Sequence, residues 1–314
     1  MLSRDVLPLI DEAAARVYSV VKETPLKPLP GAAGAFAKFE QLQITGSFKL
    51  RGAANKLMSL SPAQAAAGVI TSSTGNHGLG VATAAQLLNI DAEVFLSAQV
   101  TALKRDKIRE RGARVRIVGE DPLAAEVAAR AAAVETGRTY VSPYNDPFVI
   151  AGQGTIGVEL QRQAPALDAV FIATGGGGLM SGIGSFLKHA APHAEIIGCW
   201  PENSPVLYEC IKAGRLFEAA ETATLSESTA GGIEPDSITF DLCREVMHHG
   251  VLVSEEEILR AMRWGHALGW AMEGASGVAL AAYFKEAARY AGRQAVVVIC
   301  GGNPSTAIAA LLDA

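Results

Sequence analysis

The sequence predicts an α/β protein built from two open, twisted parallel-sheet domains with helices on both faces. Three observations carry that expectation. Short apolar, β-branched runs alternate with Ala-rich segments of helical length, the order that parallel sheets require. The runs form two clusters, four between residues 60 and 145 and three more after it, so two sheets are expected. The composition agrees: of the 314 residues 49% are hydrophobic, 19% charged and only 6% aromatic, which suits helices packed closely on sheets and argues against disorder.

Read in order, the N-terminal "MLSRDVLPLIDEAAARV" carries acids early and no uninterrupted apolar stretch, so it is not expected to act as a signal peptide. "ETPLKPLP" holds three prolines and reads as an extended connector. "TGSFKLRGA" (45–53) frames a single lysine, Lys49, with small residues, and Gly46 and Ser47 are expected to start the helix that aims its amine. The first cluster follows with "GVITSS", "AEVFLSA", "ARVRIVG" and "TYVSP" as strands, and "LGVATAAQLL" and "PLAAEVAARAAAVE" as helices. The second has "AVFIATG", "EIIGCW" and "AVVVIC" as strands, with "GVALAAYFKEAARY" a helix. His248, His249 and His266 fall on stretches read as helical and are taken as structural or solvated. The expected division is a small α/β domain, 60–145, inserted in a large one formed by 1–59 and 146–314.

Three glycine-bearing turns follow strands, where ligands sit in open parallel sheets. In "SSTGNHG" (72–78), Ser72, Ser73 and Thr74 are available as caps, Gly75 turns the chain and a helix starts near Asn76. Such a helix start favours an anion by ~0.3–1 kcal/mol. Asn76 both donates and accepts, which suits a ring hydroxyl or a carboxylate. The same spacing also describes a plain capped helix with His77 in its first turn. In "ATGGGGLMSG" (173–182), four consecutive glycines cost backbone entropy, which makes sense where main-chain N–H groups wrap a phosphate. No Gly-Lys-Ser/Thr follows, which argues against a nucleoside-triphosphate loop, and the match to G-x-G-x-x-G is weak. A tight structural turn is the alternative. In "VVVICGGNPS" (296–305), Cys300 stands at the carboxyl edge of the last strand, either as inert core or facing a ligand. One framed lysine, one phosphate cradle and two polar turns are the equipment for a phosphorylated aldehyde cofactor, because lysine forms a Schiff base with an aldehyde.

These motifs, with "TPL" (24–26), "GQGTIGVEL" (152–160) and "CGGN", resemble the pyridoxal-phosphate enzymes of fold type II, the tryptophan-synthase β type, and within them the serine/threonine dehydratase family. The likeness covers nearly the whole chain. It implies pyridoxal 5'-phosphate (PLP) in the cleft between the two domains, with Lys49 as the Schiff-base lysine and Phe48 beside it. Asn76 would bond the ring 3-hydroxyl, and Cys300 would face the ring nitrogen. Gly175, Gly176, Gly177, Gly178 and Leu179 would hold the phosphate through main-chain N–H groups. Ser73, Thr74, Gly75, His77 and Tyr144 would contact substrate, and Lys49 and Thr74 would be catalytic. The implied reaction is β-elimination of water from a threonine- or serine-like β-hydroxy amino acid, giving a 2-oxo acid and ammonia. Lys49 acts as a base in that scheme only if its pKa falls below the usual ~10.4. The family commonly forms homodimers.

The sequence departs from the family at several places. Metal-activated members read Gly-x-Glu-Pro where this chain has Gly198, Cys199, Trp200 and Pro201, and neither Ser204 nor Val206 supplies an acid, so no divalent-cation site is expected. Thr74 stands where the family's serine racemases carry serine; racemisation is an alternative ranked below elimination. "SPYND" (142–146) replaces His-Pro-Phe-Asp-Asp and "SESTAGG" (226–232) an Ala-Asp-Gly motif, and both are expected near cofactor or substrate. "PENSP" and "GGIEPDSITF" resemble a branch linked to hydroxyectoine breakdown, where the Tyr144 hydroxyl would serve a longer or more polar substrate. Glu273 is expected as a buried or cleft-facing acid before a helix, its role open. The chain stops at Ala314 without an appended regulatory segment, so feedback control is not expected.

A net charge of −5 argues against nucleic-acid binding. No apolar run approaches the ~18 residues of a membrane span. The four cysteines, 199, 210, 243 and 300, show no metal-site spacing and fit a cytoplasmic, reducing setting as small core residues. A nicotinamide dehydrogenase would want an acid closing the second strand, where "AEVFLSA" ends in Ser97 and Ala98. The non-enzymatic alternative is a PLP carrier or sensor.

Overall fold

The computed structural model describes residues 1–313, which form two sheets flanked by helices. In chain order the strands are β1 (Leu26–Pro28), β2 (Ala35–Phe39), β3 (Val69–Ser72), β4 (Ala92–Leu96), β5 (Arg114–Ile117), β6 (Thr139–Tyr140), β7 (Leu167–Ala173), β8 (Glu195–Pro201), β9 (His249–Val253) and β10 (Gln294–Ile299). The larger sheet runs β1-β2-β10-β7-β8-β9 and the smaller β5-β4-β3-β6. Every pairing is parallel except β1 with β2. All seven runs read as strands from the sequence are strands here, and the Ala-rich segments are helices, with the last turning 3-10 over Ala287–Tyr290.

Three strands were not legible in the sequence. The proline-rich connector contributes β1, an edge strand. Proline has no N–H for a ladder, so it is tolerated at an edge and not in the middle of a sheet. β2, "AFAKF", carries a lysine on a buried face, a pattern that reads as polar until the lysine's partners are known. β9 begins at His249, which corrects the helical reading of that histidine, and His248 just precedes it. Both remain structural: the Ile196 N–H donates to His248 Nδ1 (3.0 Å), and His249 Nε2 lies 3.0 Å from Glu286. His266 is helical, within Glu255–Ala267.

The topology sets the site. β10 and β7 lie side by side at the centre of the larger sheet, so the glycine run after β7 and Cys300 after β10 emerge at neighbouring carboxyl ends. β3 is interior to the smaller sheet, and the turn at 73–75 leaves its carboxyl end. The core behind these turns is aliphatic: Val296, Val297, Val298, Val170, Ile172 and Ile197 are all fully buried. The strands therefore present these turns at their carboxyl ends, the usual arrangement for a ligand site in such sheets.

Candidate active site

Lys49 is placed mainly by backbone pairing. The Gly302 N–H donates to Gly46 O (2.9 Å), Ser47 forms a bridge with Gly301, and the Phe48 N–H donates to Cys300 O (3.0 Å). The segment before Lys49 is thus strapped to the end of β10, and the helix Lys49–Met58 starts with no side-chain cap. Ser47 does not start it as the sequence suggested; its buried hydroxyl has no hydrogen-bond partner among the described residues. The far face of the helix is held by Arg51, fully buried among Glu40 (Nε to Oε2, 2.8 Å), Glu159 (Nη1 to Oε1, 2.6 Å) and Thr155. Glu159 also takes the buried Lys38 amine at 2.5 Å. Two cations and two carboxylates balance inside the core, so the helix cannot slide without stranding a charge, which costs about 3–5 kcal/mol.

The Lys49 amine donates to Pro143 O (2.9 Å) and lies 5.1 Å from the Phe48 ring centroid. Burial lowers its pKa from 10.5 to about 8, against the opposing pull of negative charge at Cys300 and Glu273. Cys300 gives that pull only as a thiolate, and burial pushes its own pKa up to about 12, so it is a neutral thiol. Its sulfur lies 3.7 Å from Ser276 Oγ. Glu273 is 6% exposed and sits at the cap of the helix Gly274–Glu286. Burial raises its pKa, opposed by hydrogen bonds from the Asn76 amide (2.9 and 2.7 Å), the Asn303 N–H (3.4 Å) and the Ser228 hydroxyl (3.3 Å).

Two cavities meet at this point. The larger, about 440 Å³, is lined by Lys49, Ser73, Thr74, Gly75, Asn76 and His77. The smaller, about 190 Å³, is lined by Phe48, Lys49, Tyr144, Gly175–Leu179 and Cys300. Lys49, Asn76, Pro143, Ser228 and Glu273 border both. Every site residue expected from the sequence therefore borders one cavity or the other.

The turn before Asn76 differs in detail from a hydroxyl-capped helix. Gly75 is the cap of Asn76–Leu88 with no side-chain bond, and its own N–H donates to Ser73 Oγ (3.2 Å). The first N–H groups of the helix stay available to an anion. Asn76 is fully engaged, with its Oδ1 accepting from Asn303 Nδ2 (2.8 Å). His77 Nε2 donates to Val141 O (3.0 Å), and burial, with Lys49 nearby, lowers its pKa to about 3. It is a neutral wall rather than a charged contact.

The glycine run needs its glycines. Gly177 has φ +83°, a left-handed value that disfavours other residues, and a Cβ there would lie 2.8 Å from Cys243 Sγ. A Cβ on Gly176 would strike the Tyr144 ring. The helix Gly178–Ala190 begins here, and Gly178, Leu179 and Met180 of its first turn line the smaller cavity. A glycine turn pressed so closely by Thr229, Tyr144 and Cys243 that no Cβ fits, with an amine across one small chamber from it, fits a phosphorylated aldehyde of aromatic-ring size.

Tyr144 lines this smaller cavity. Its hydroxyl accepts the Glu234 N–H (3.1 Å) and its ring covers the glycine run, an arrangement different from a hydroxyl offered to substrate. Both substituted segments, "SPYND" and "SESTAGG", contribute to the cavity walls. Sequence reasoning gave no role to Pro143, Ser228, Asn303 or Arg51. All four stood inside quoted motifs, but a bond accepted by a backbone carbonyl such as that of Pro143 leaves no trace in a sequence. Cys199 and Trp200 are buried core at the end of β8, and among the described residues no three His, Cys, Asp or Glu side chains gather as metal ligands.

Comparison with known proteins adds identity. Residues 17–301 match the family described as pyridoxal-phosphate dependent enzyme. An L-threonine ammonia-lyase of Thermotoga maritima is 37% identical over 300 residues, 94% of this chain and 74% of that protein. Among solved structures, the processed form of threonine deaminase isoform 2 from Solanum lycopersicum superposes with a TM-score of 0.93 at 31% identity, covering 99% of this chain and 93% of that one. A serine racemase from Dictyostelium discoideum gives a TM-score of 0.88 at 29% identity, over 95% of this chain and 98% of that one.

Proposed function

The chain belongs to the pyridoxal-phosphate dependent enzyme family, and from that premise we propose that it is an ammonia-lyase removing water across Cα and Cβ of a threonine- or serine-like β-hydroxy amino acid. The observation that carries this reading is the Lys49 amine, bordering both cavities with its pKa lowered to about 8. We take residues 60–145 as a small domain inserted in a large one of 1–59 and 146–314, with the cofactor between them.

When bound, PLP supplies an aldehyde that joins reversibly to amines and a conjugated ring that accepts electrons from Cα. The residues around it have separable tasks. Lys49 would hold the aldehyde and, when its amine is free, would take the proton from Cα at Nζ; a pKa near 8 leaves about a tenth of the amine unprotonated at pH 7 and about half at pH 8. Main-chain N–H groups of Gly175–Gly178 and Leu179 would hold the phosphate, and Phe48 would border the ring. Asn76 would orient the ring hydroxyl, giving up part of its bond to Glu273 to do so. Cys300, a neutral thiol, offers the ring nitrogen only a weak partner and leaves the ring a modest electron sink. That suffices when a leaving group on Cβ departs promptly. Ser73, Thr74 and Gly75 bind the substrate carboxylate at the helix start, with His77 behind them as a neutral wall.

The test is direct. The purified protein should show a visible cofactor band and release ammonia from L-threonine or L-serine, and Lys49→Ala should lose both. A band that survives Lys49→Ala sinks the assignment of the lysine, and a coloured protein that releases no ammonia from any β-hydroxy amino acid is a carrier rather than a lyase.

A further inference from the structure

The glycine run has a weakness as a phosphate site. Four residues without side chains have no means of fixing their own conformation, and each has more backbone freedom to lose than any other residue. A cradle that forms only when its ligand arrives binds more weakly than one already set, so something outside the run must hold it.

The structure shows two jaws. On one side the segment from Thr229 to Cys243 touches successive members of the run. The Thr229 backbone backs Gly175, where a Cβ would lie 2.8 Å from Thr229 Cα; the Thr239 hydroxyl donates to Gly176 O (2.7 Å), and the Cys243 thiol to Gly177 O (3.5 Å). On the other side the Tyr144 ring covers Gly176, and the same residue's Cβ and backbone approach Gly178, where a Cβ would lie 3.0 Å from Tyr144 Cβ. The Tyr144 hydroxyl then reaches past the run to the first jaw and accepts the Glu234 N–H (3.1 Å). Asn145 makes two more ties to that jaw, accepting from the Ile238 N–H (3.0 Å) and donating to Glu234 Oε2 (2.9 Å).

The base of the tyrosine jaw is itself rigid. Ser142 Oγ accepts the Asn145 N–H (3.0 Å), and Asp146 caps the helix Pro147–Gln163 by accepting the Phe148 and Val149 N–H groups. Pro143, the residue before the tyrosine, supplies the carbonyl that takes the Lys49 amine. One five-residue turn therefore sets the amine at one end of the cavity and the clamp on the glycine run at the other.

We propose that Tyr144 is a positioning residue for the cofactor phosphate, its hydroxyl bolting the 229–243 segment over the glycine run so that the cradle is formed before the ligand arrives. The proposal rests on the PLP reading above and goes beyond it by assigning the task to the hydroxyl rather than to a substrate contact.

The experiment uses Tyr144→Phe, which keeps the ring on Gly176 and removes only the tie to Glu234. PLP should leave the holoenzyme about three- to tenfold faster, as expected for one lost hydrogen bond. Pyridoxal, which has the aldehyde and no phosphate, should bind the cofactor-free variant as it binds the unaltered protein. Thr239→Val, which releases the opposite jaw from Gly176 O, should produce the same split. Unchanged PLP release in both variants overturns the proposal, as does an equal loss of PLP and pyridoxal, which would place the defect at Lys49. Failure of the PLP reading itself would show separately, as absence of a cofactor band in the unaltered protein.

Discussion

Lys49 differs from an ordinary surface lysine in one respect that can be measured, the pH at which its amine becomes free. Only the unprotonated amine attacks an aldehyde, and its fraction falls about tenfold for each pH unit below the pKa. Burial lowers that pKa from 10.5 to about 8. Uptake of PLP by the cofactor-free protein should therefore accelerate about tenfold per pH unit up to pH 8 and level off above it. A rate still climbing toward the usual lysine value of ~10.4 would show that the amine is solvated rather than buried. The sequence displayed this lysine in its frame of small residues. It did not display the burial that lowers the pKa, because the groups that enclose the amine, Pro143 O, Cys300 and Glu273 among them, arrive from three other parts of the chain. Glu273 shows the same limit: its place before a helix was readable, its bond to Asn76 was not.

At the scale of elements, the glycine run and the turn that carries Tyr144 act as one unit although about thirty residues separate them. Gly176→Ala should push the Tyr144 ring off the run, an overpacking that costs about 1–3 kcal/mol. Titration with PLP should then show affinity reduced roughly tenfold or more, with pyridoxal affected much less. Equal binding by the variant would mean that the ring yields freely and does not shape the cradle. The strand-turn-helix units around β3, β7 and β10 were legible because each is written within about twenty residues, as an apolar run, a glycine turn and a helical segment. β1 and β2 were not. A three-residue edge strand made by a proline-rich stretch, and a strand with a lysine on its buried face, become sensible only beside the partners that complete them. For Lys38 those partners are Glu159 on a helix more than a hundred residues away and the Thr24 carbonyl.

The whole molecule brings the ends of the chain's motifs to one place. The end of β8, where metal-activated relatives are expected to present a carboxylate, buries Cys199 and Trp200 instead. Ammonia release should be unchanged by a chelator such as EDTA and unstimulated by magnesium. Loss of activity on chelation, restored by magnesium, would overturn this. No helix among the described residues is long and apolar enough to cross a membrane. By itself the sequence determined the alternation of strand and helix, the family and the cofactor, and it singled out the amine proposed to hold it. Those features are local: each turn carries its own glycine, each strand its own apolar run. The tertiary structure alone decided which carbonyl receives the amine, which ring closes the glycine run and which carboxylate bonds Asn76. Such pairings join residues tens to hundreds of positions apart, and packing two sheets against shared helices, rather than any local pattern, sets those distances.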